Sequence, residues 1–437
     1  MNWKLLWLSL LLPVLWAEPA GAEPASGTTL GQAAVFTTSP VDMMAFPSEV
    51  GSFGRLIAID LDSFPFSHDR MSLAAVWSDD QGKFGSVGLA FGDLNSQSEF
   101  NGLIVSLNDA IASHPMMSPR NAIPFPDSRF HLMYAREVGP VTAGLSLGLA
   151  SGARDYDFSD TIPQDAVRRR AQSGIWSMAA GASAVFSDNI YLQAAASIQG
   201  LSFSSSFELS GADPIYWEKV ESSQGRGGQL DVRMFYGLNG QIKLVPALAV
   251  HSLKSGYLAS YADTMHLPGS VYNRAGGEYE QGAVKLCLGT EYCPDRRIKL
   301  LAGMSLGSER VEIKDSNNVW LGPLTPAGRL SSRTVSTITL PELMAGVEAE
   351  LLDWFVIRLG ASQKADWVRD QKWYTDQAAS KVSFSRTEYT ASFGLGLRFG
   401  SLSVDAQLAP GQPFELGYLM SGNTTAAIAM LSAEYRY

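Results

Sequence analysis

The stretch LPELMAGVEAELLDWFVIRLGASQKADW constrains the fold more than any other part of the chain. In its first half Leu343, Ala345, Val347, Ala349 and Leu351 fall on one side of a two-residue alternation, and Glu342, Met344, Gly346, Glu348 and Glu350 fall on the other. After a tight turn at Leu352-Asp353, Phe355, Ile357, Leu359 and Ala361 oppose Arg358, Gly360, Ser362 and Lys364. Successive side chains of a strand point to opposite faces, so this period means strands, and two strands so closely joined mean an antiparallel hairpin. The same unit recurs, with turns expected at Asp79 to Gly82, Gly139-Pro140, Ser187-Asp188-Asn189, near Val245-Pro246 and at Gly400-Ser401.

The connections alternate in length. Between the short turns lie long polar segments, at 93–127, 152–172, 208–227, 262–279, 312–337, 368–387 and 410–425. An apolar face on every hairpin, short turns on one side and long loops on the other, is the pattern of a transmembrane antiparallel β-barrel. The alternating segments number about sixteen, with fourteen as the alternative, and an even number returns both ends to the periplasmic side. The final AAIAMLSAEYRY fits the last strand: Ala429, Leu431, Ala433 and Tyr435 face lipid, while Ser432, Glu434 and Arg436 face the lumen. Tyr435 and Tyr437 then stand in an interfacial aromatic girdle.

Residues 1–22 carry one basic residue, Lys4, an apolar core from Leu5 to Trp16, and the small-residue site Ala20-Gly21-Ala22. A core this short is expected to be a cleaved export signal and not a membrane span. Residues 23–50 lack the strand alternation but hold Val35, Phe36, Met43, Met44 and Phe46, too apolar for a solvated tail, so a small plug is expected there. The barrel is expected to occupy 51–437. A formal charge of −10 argues against a nucleic-acid partner, which would want clustered Lys and Arg.

Five features are candidates for function. In 93–127, Ser96 and Glu99 have capping-box spacing, and Phe100, Leu103 and Leu107 share a helical face suited to lying over the barrel mouth or to catching an apolar ligand. Glu342, Glu348, Glu350, Arg358 and Lys364 place opposed charges on the lumen face of one hairpin. Arg168, Arg169 and Arg170 could meet lipopolysaccharide phosphates at the outer-membrane surface. Asp155, Asp157 and Asp160 lack the glycine and terminal glutamate of a calcium loop, so no metal site and no cofactor is expected. Cys287 and Cys293, in an export compartment, are expected to form a disulfide if the chain reverses between them at Leu288 to Tyr292. The five histidines, His68, His114, His131, His251 and His266, fall in no recognisable catalytic signature, so no enzyme is expected.

The pre-barrel segment with Ser39-Pro40-Val41, the LPELMAGVEAELLDWFVIRLGA hairpin and the terminal AEYRY together resemble the long-chain fatty-acid transporter (FadL-type) outer-membrane family. The resemblance is one of layout over most of the chain. It implies a monomeric barrel closed by an N-terminal hatch carrying an Asn-Pro-Ala motif, of which only Pro40 is matched here. It also implies passive uptake of small hydrophobic molecules and a bacterial outer-membrane location. The terminal Tyr437 resembles the signal read by the barrel-assembly machinery. A general diffusion porin, or a docking protein without transport, are the alternatives.

Overall fold

The computed structural model describes residues 30–37, 42–62, 70–79, 84–92, 123–124, 126, 128–159, 166–210, 216–222, 225–263, 272–319, 330–374, 378–408 and 428–437. Among the described residues seventeen strands form one antiparallel sheet. They are β1 (Leu56–Asp62), β2 (Arg70–Ser78), β3 (Ser86–Phe91), β4 (Ser128–Val138), β5 (Val141–Ser159), β6 (Ala166–Ser187), β7 (Ile190–Ser210), β8 (Tyr216–Ser222) and β9 (Gly225–Gly237). The remainder are β10 (Ile242–Asp263), β11 (Tyr272–Tyr292), β12 (Ile298–Val319), β13 (Leu330–Leu352), β14 (Phe355–Tyr374), β15 (Ser380–Phe399), β16 (Leu402–Leu408) and β17 (Ile428–Arg436). β1 pairs with both β2 and β17, so the sheet closes on itself.

The closed barrel has sixteen positions, because β8 and β9 share one. Both run antiparallel to β7 on one side and to β10 on the other. Pairing with β7 passes from Leu201↔Gly225 to Ser204↔Glu221, a slip of one residue where β8 gives way to β9. The expected connection over 208–227 is therefore partly strand.

The apolar alternation faces outward. Leu145, Leu147 and Leu149 on β5, Val284, Leu286 and Leu288 on β11, and Leu343, Leu351 and Leu359 on β13 and β14 are all exposed. Their neighbours Met344, Val356 and Arg358 are buried inside. Phe186, Tyr236, Tyr292, Trp354, Phe399, Tyr435 and Tyr437 ring the short-turn end, and Trp176 and Trp367 stand higher on β6 and β14. Ten residues from Phe186 to Trp176, at ~3.3 Å each and a tilt of ~40°, give ~25 Å, the height of a barrel's apolar band. A closed sheet leaves no unpaired edge to the lipid.

The long strands continue well past that band. β5 has 19 residues and β13 has 23, whereas β1 and β16 have 7 and β3 has 6. The connections expected at 152–172, 262–279, 312–337 and 368–387 are accordingly much shorter, because the hairpins go on pairing above the lipid. Polar pairs sustain them there: across strands Lys254 Nζ meets Glu278 at 3.3 Å and Glu280 at 2.6 Å, and along β12 Glu312 takes Arg310 at 3.0 Å and Lys314 at 3.1 Å. Arg168 to Arg170 lie in this extension of β6, not in a loop, with Arg168 in register with Asp157 and Glu208.

Two turn expectations shift. β10 runs through Val245-Pro246, opposite Gly289 and Leu288, and the reversal lies at 238–241. Pro246 has no N–H to give, and the ladder to β9 skips from Leu244↔Tyr236 to Ala247↔Arg233 at that point. The disulfide is not formed: Cys287 and Cys293 are both free thiols. β11 stays extended through Leu288 to Tyr292, with Leu288, Gly289 and Thr290 paired to β10 and β12. Over that length six residues separate the two cysteines by ~20 Å.

Candidate functional site in the barrel lumen

The segment before β1 folds as short helical pieces, a 3-10 turn Gly31–Phe36, a helical turn Asp42–Ala45 and a second 3-10 stretch Pro47–Phe53. Pro47 opens the last, where its missing N–H costs nothing. Gly54, at φ 66°, ends it in a conformation other residues avoid. Pro47–Phe53 packs against β4, β5 and β6, and Gly31–Phe36 against β11 to β15. A segment that touches opposite walls lies inside the barrel. The packed segment ends at Phe53, three residues past the boundary expected for a plug.

Three glycine pairs seat it. Gly144↔Gly181, Gly289↔Gly303 and Gly346↔Gly360 are each in cross-strand register. A Cβ at Gly144 would stand 2.3 Å from the Pro47 carbonyl carbon, one at Gly289 or Gly303 2.3 Å from the Phe36 ring, and one at Gly360 2.6 Å from the Leu30 carbonyl carbon. No real Cβ approaches so closely, so each pair is a thin place in the wall filled by one plug residue.

Polar latches complete the seating. The Arg233 guanidinium, on β9, donates to Gln193 Oε1 at 2.7 Å, to the Val35 and Thr37 carbonyls at 3.2 and 2.9 Å, and to Asp42 Oδ2 at 3.0 Å. It lies between the Phe46 and Phe235 rings at 5.0 and 5.1 Å. Arg233 is only 2% exposed, so this pair is held out of water and is worth far more than a surface ion pair. One strand away Tyr191 donates its hydroxyl to Glu49, itself buried, and Ser52 Oγ donates to the Glu49 carbonyl at 2.7 Å. None of these residues stands out in the sequence, since inward polar residues are required of any barrel and only register shows which of them meet the plug.

The expected lumen charges form a ladder on β11 to β16. Arg358 Nε donates to Glu348 Oε2 at 2.5 Å and Nη1 to Asp405, which also accepts from Arg398 at 3.3 Å. Glu342 takes Ser305 Oγ at 2.7 Å and Lys285 Nζ at 2.9 Å. Lys364 pairs with Asp366 at 3.1 Å, and Asp366 also accepts from Thr339 at 2.6 Å. Higher still, Arg333 grips Asp370 with two bonds of 3.0 and 2.9 Å. Glu350 is the exception: it is exposed two residues from the β13–β14 turn and makes no ion pair among the described residues. The expected strand had it facing the lumen, but the register slips between Glu350 and Leu352.

Above the plug the opposite wall turns apolar. Leu201, Phe203, Val220, Leu253 and Tyr279 are buried in one inward-facing cluster on β7, β8, β10 and β11. Ile123, from the connection before β4, drops into it and is 1% exposed, and Ser173 Oγ holds the Pro124 carbonyl at 2.7 Å. Between this cluster and the plug the register places His131, Ser177 and Gln199 in one row. Phe100, Leu103 and Leu107 of the expected helix, and Pro40 of the plug, lie outside the described residues, as do His68, His114 and His266.

No family model matches the sequence, and no curated protein does. Among solved structures the chain is similar to the P. putida toluene transporter TodX, at 12% identity over 96% of this chain and 99% of that one, with a TM-score of 0.40. It is similar to a Pseudomonas aeruginosa FadL homologue at 13% identity over 95% and 100%, TM-score 0.40. The ferric yersiniabactin uptake receptor FyuA from Yersinia pestis is as near, at 10% identity over 88% and 80%, TM-score 0.41.

Proposed function

We propose that the protein is a plugged outer-membrane channel for passive uptake of small hydrophobic molecules. One observation carries the reading: an apolar cluster, Leu201, Phe203, Val220, Leu253 and Tyr279, packed around Ile123, lies on the inward face of the wall beyond the N-terminal segment. A solvated pore has no use for such a surface, whereas an apolar solute leaving water gains ~25 cal/mol per Å² buried against it. The plug beneath holds the solute in place until it yields. Phe203→Asp and Leu253→Asp are expected to cut uptake of a radiolabelled apolar solute at least tenfold in cells with unchanged protein abundance. Uptake at the parental rate in both variants would end the reading.

A general diffusion pore is the second reading, and the charged ladder from Arg358 to Arg333 is what favours it. Planar bilayers separate the two, since a plugged channel gives low, intermittent conductance and a pore gives stable high conductance. Export would proceed by removal of residues 1–22, with Tyr437 as the handle for the barrel-assembly machinery. A mature N-terminus other than residue 23 would correct the first part. Normal membrane assembly of Tyr437→Ser would correct the second.

A further inference from the structure

The seam where the barrel closes holds two buried carboxylates without a counter-charge. Asp60 on β1 lies opposite Ser432 on β17 and opposite Ser72 on β2. It is 4% exposed; Oδ2 accepts from Ser72 Oγ at 3.3 Å, while Oδ1 is buried with no hydrogen-bond partner. Glu434, 8% exposed, is the next inward residue of β17, opposite Ala58. The third acid of the group, Asp405 on β16, also faces Ser432 but is answered by Arg358 and Arg398. Neither Asp60 nor Glu434 forms an ion pair among the described residues. Arg398 and Arg436 act on Glu434 only at longer range.

Burying an ionised carboxylate without a partner costs several kcal/mol, so something neutralises this pair: a proton or a bound cation. The surrounding groups decide between them. Ser72 and Ser432 add hydroxyl oxygens to the two carboxylates, and the four side chains come from β2, β1 and β17. Opposed inward residues on adjacent strands stand ~5 Å apart at Cβ, and a glutamate one step below reaches the same space. None of the four side chains is a His or a Cys, which removes the usual transition-metal donors. An oxygen-only set of mixed carboxylate and hydroxyl donors, with irregular geometry, suits Ca²⁺ better than Mg²⁺, which demands a near-ideal octahedron.

We propose that Asp60, Glu434, Ser72 and Ser432 bind a hard divalent cation of the calcium class across the barrel seam. The ion would join the first strand to the last and neutralise both acids at once. The proposal rests on the fold alone and is independent of the cargo.

The test uses the full chain refolded in detergent free of lipopolysaccharide, stripped with chelator, and melted with and without millimolar calcium or magnesium. Saturating calcium is expected to raise Tm by a few degrees and magnesium by less. Asp60→Asn and Glu434→Gln remove the unpaired charge, so both are expected to fold, and both are expected to lose the calcium response. Isothermal titration of the parent should return one site per chain. Equal melting with and without calcium, or a full calcium response in Asp60→Asn, would overturn the proposal. Variants that melt higher than a calcium-insensitive parent would assign the pair to a shared proton instead.

Discussion

Replacing Arg233 should unseat the plug without unfolding the barrel. Arg233→Met keeps an apolar stem between the Phe46 and Phe235 rings but removes every hydrogen bond to Val35, Thr37, Asp42 and Gln193. Asp42 is left facing protein with its side chain 19% exposed. Removing one partner of a buried pair costs ~3–5 kcal/mol, and the residual exposure of Asp42 points to the lower end. Two carbonyls that lose their donor add ~1 kcal/mol each where water does not replace it. Docking is thus weakened by about 4 kcal/mol, a ~10³-fold rise in the undocked population. Two assays read this. Planar-bilayer recordings should show long open bursts in Arg233→Met. A cysteine placed at Ala34, in a background lacking Cys287 and Cys293, should label with a water-soluble maleimide orders of magnitude faster. Arg297→Met, which removes an exposed pair with Asp353, is the control and should change neither. Parental conductance and labelling in Arg233→Met would refute the latch.

Three further outcomes are expected. Gly289→Ala pushes a Cβ to within 2.3 Å of the Phe36 ring and should open the channel in bilayer recordings, with Phe36→Ala restoring closure in the double variant; failure of that rescue would count against the seats. Arg358→Met leaves the buried Asp405 and the half-buried Glu348 without their shared cation and should destabilise the barrel by about 3 kcal/mol, the lower end for a broken buried pair, read as a lower temperature for loss of the compact heat-modifiable band. Without reductant, denatured protein should titrate as two thiols. In the native barrel Cys293 alone should alkylate, and slowly near neutral pH, because burial and the Glu291 carboxylate push its thiol up. A raised pKa means less thiolate at a given pH, so the rate should climb steadily above the ordinary thiol range.

The alternation in the sequence was enough to identify the barrel, the outward face of each hairpin and a strand number near sixteen. It could not show where strands end, because above the lipid both faces of a hairpin are polar and pairing continues without an apolar signature, as at Lys254 and Glu280. Pro246 looked like a turn because proline is costly in a sheet, yet here the neighbouring ladder yields at that residue. Cys287 and Cys293 were close in number and ~20 Å apart in space once β11 stayed extended. In the lumen, Glu342, Glu348, Arg358 and Lys364 were legible as inward charges. Their partners Asp405, Lys285 and Asp366 were not, since face follows from period but contacts follow from register. The plug residues that matter, Asp42 and Glu49, acquire meaning only beside Arg233 and Tyr191, 142 residues or more further along the chain.

The paired glycines also bear on the order in which the molecule is built. Leu30 rests on a seat made by Gly346 and Gly360, and Phe36 on one made by Gly289 and Gly303. The segment synthesised early must therefore wait for hairpins synthesised late, and contacts of such long sequence separation form slowly. Docking of the N-terminal segment therefore depends on the hairpins that carry Gly289, Gly303, Gly346 and Gly360, so a change at those distant seats is felt at Leu30 and Phe36.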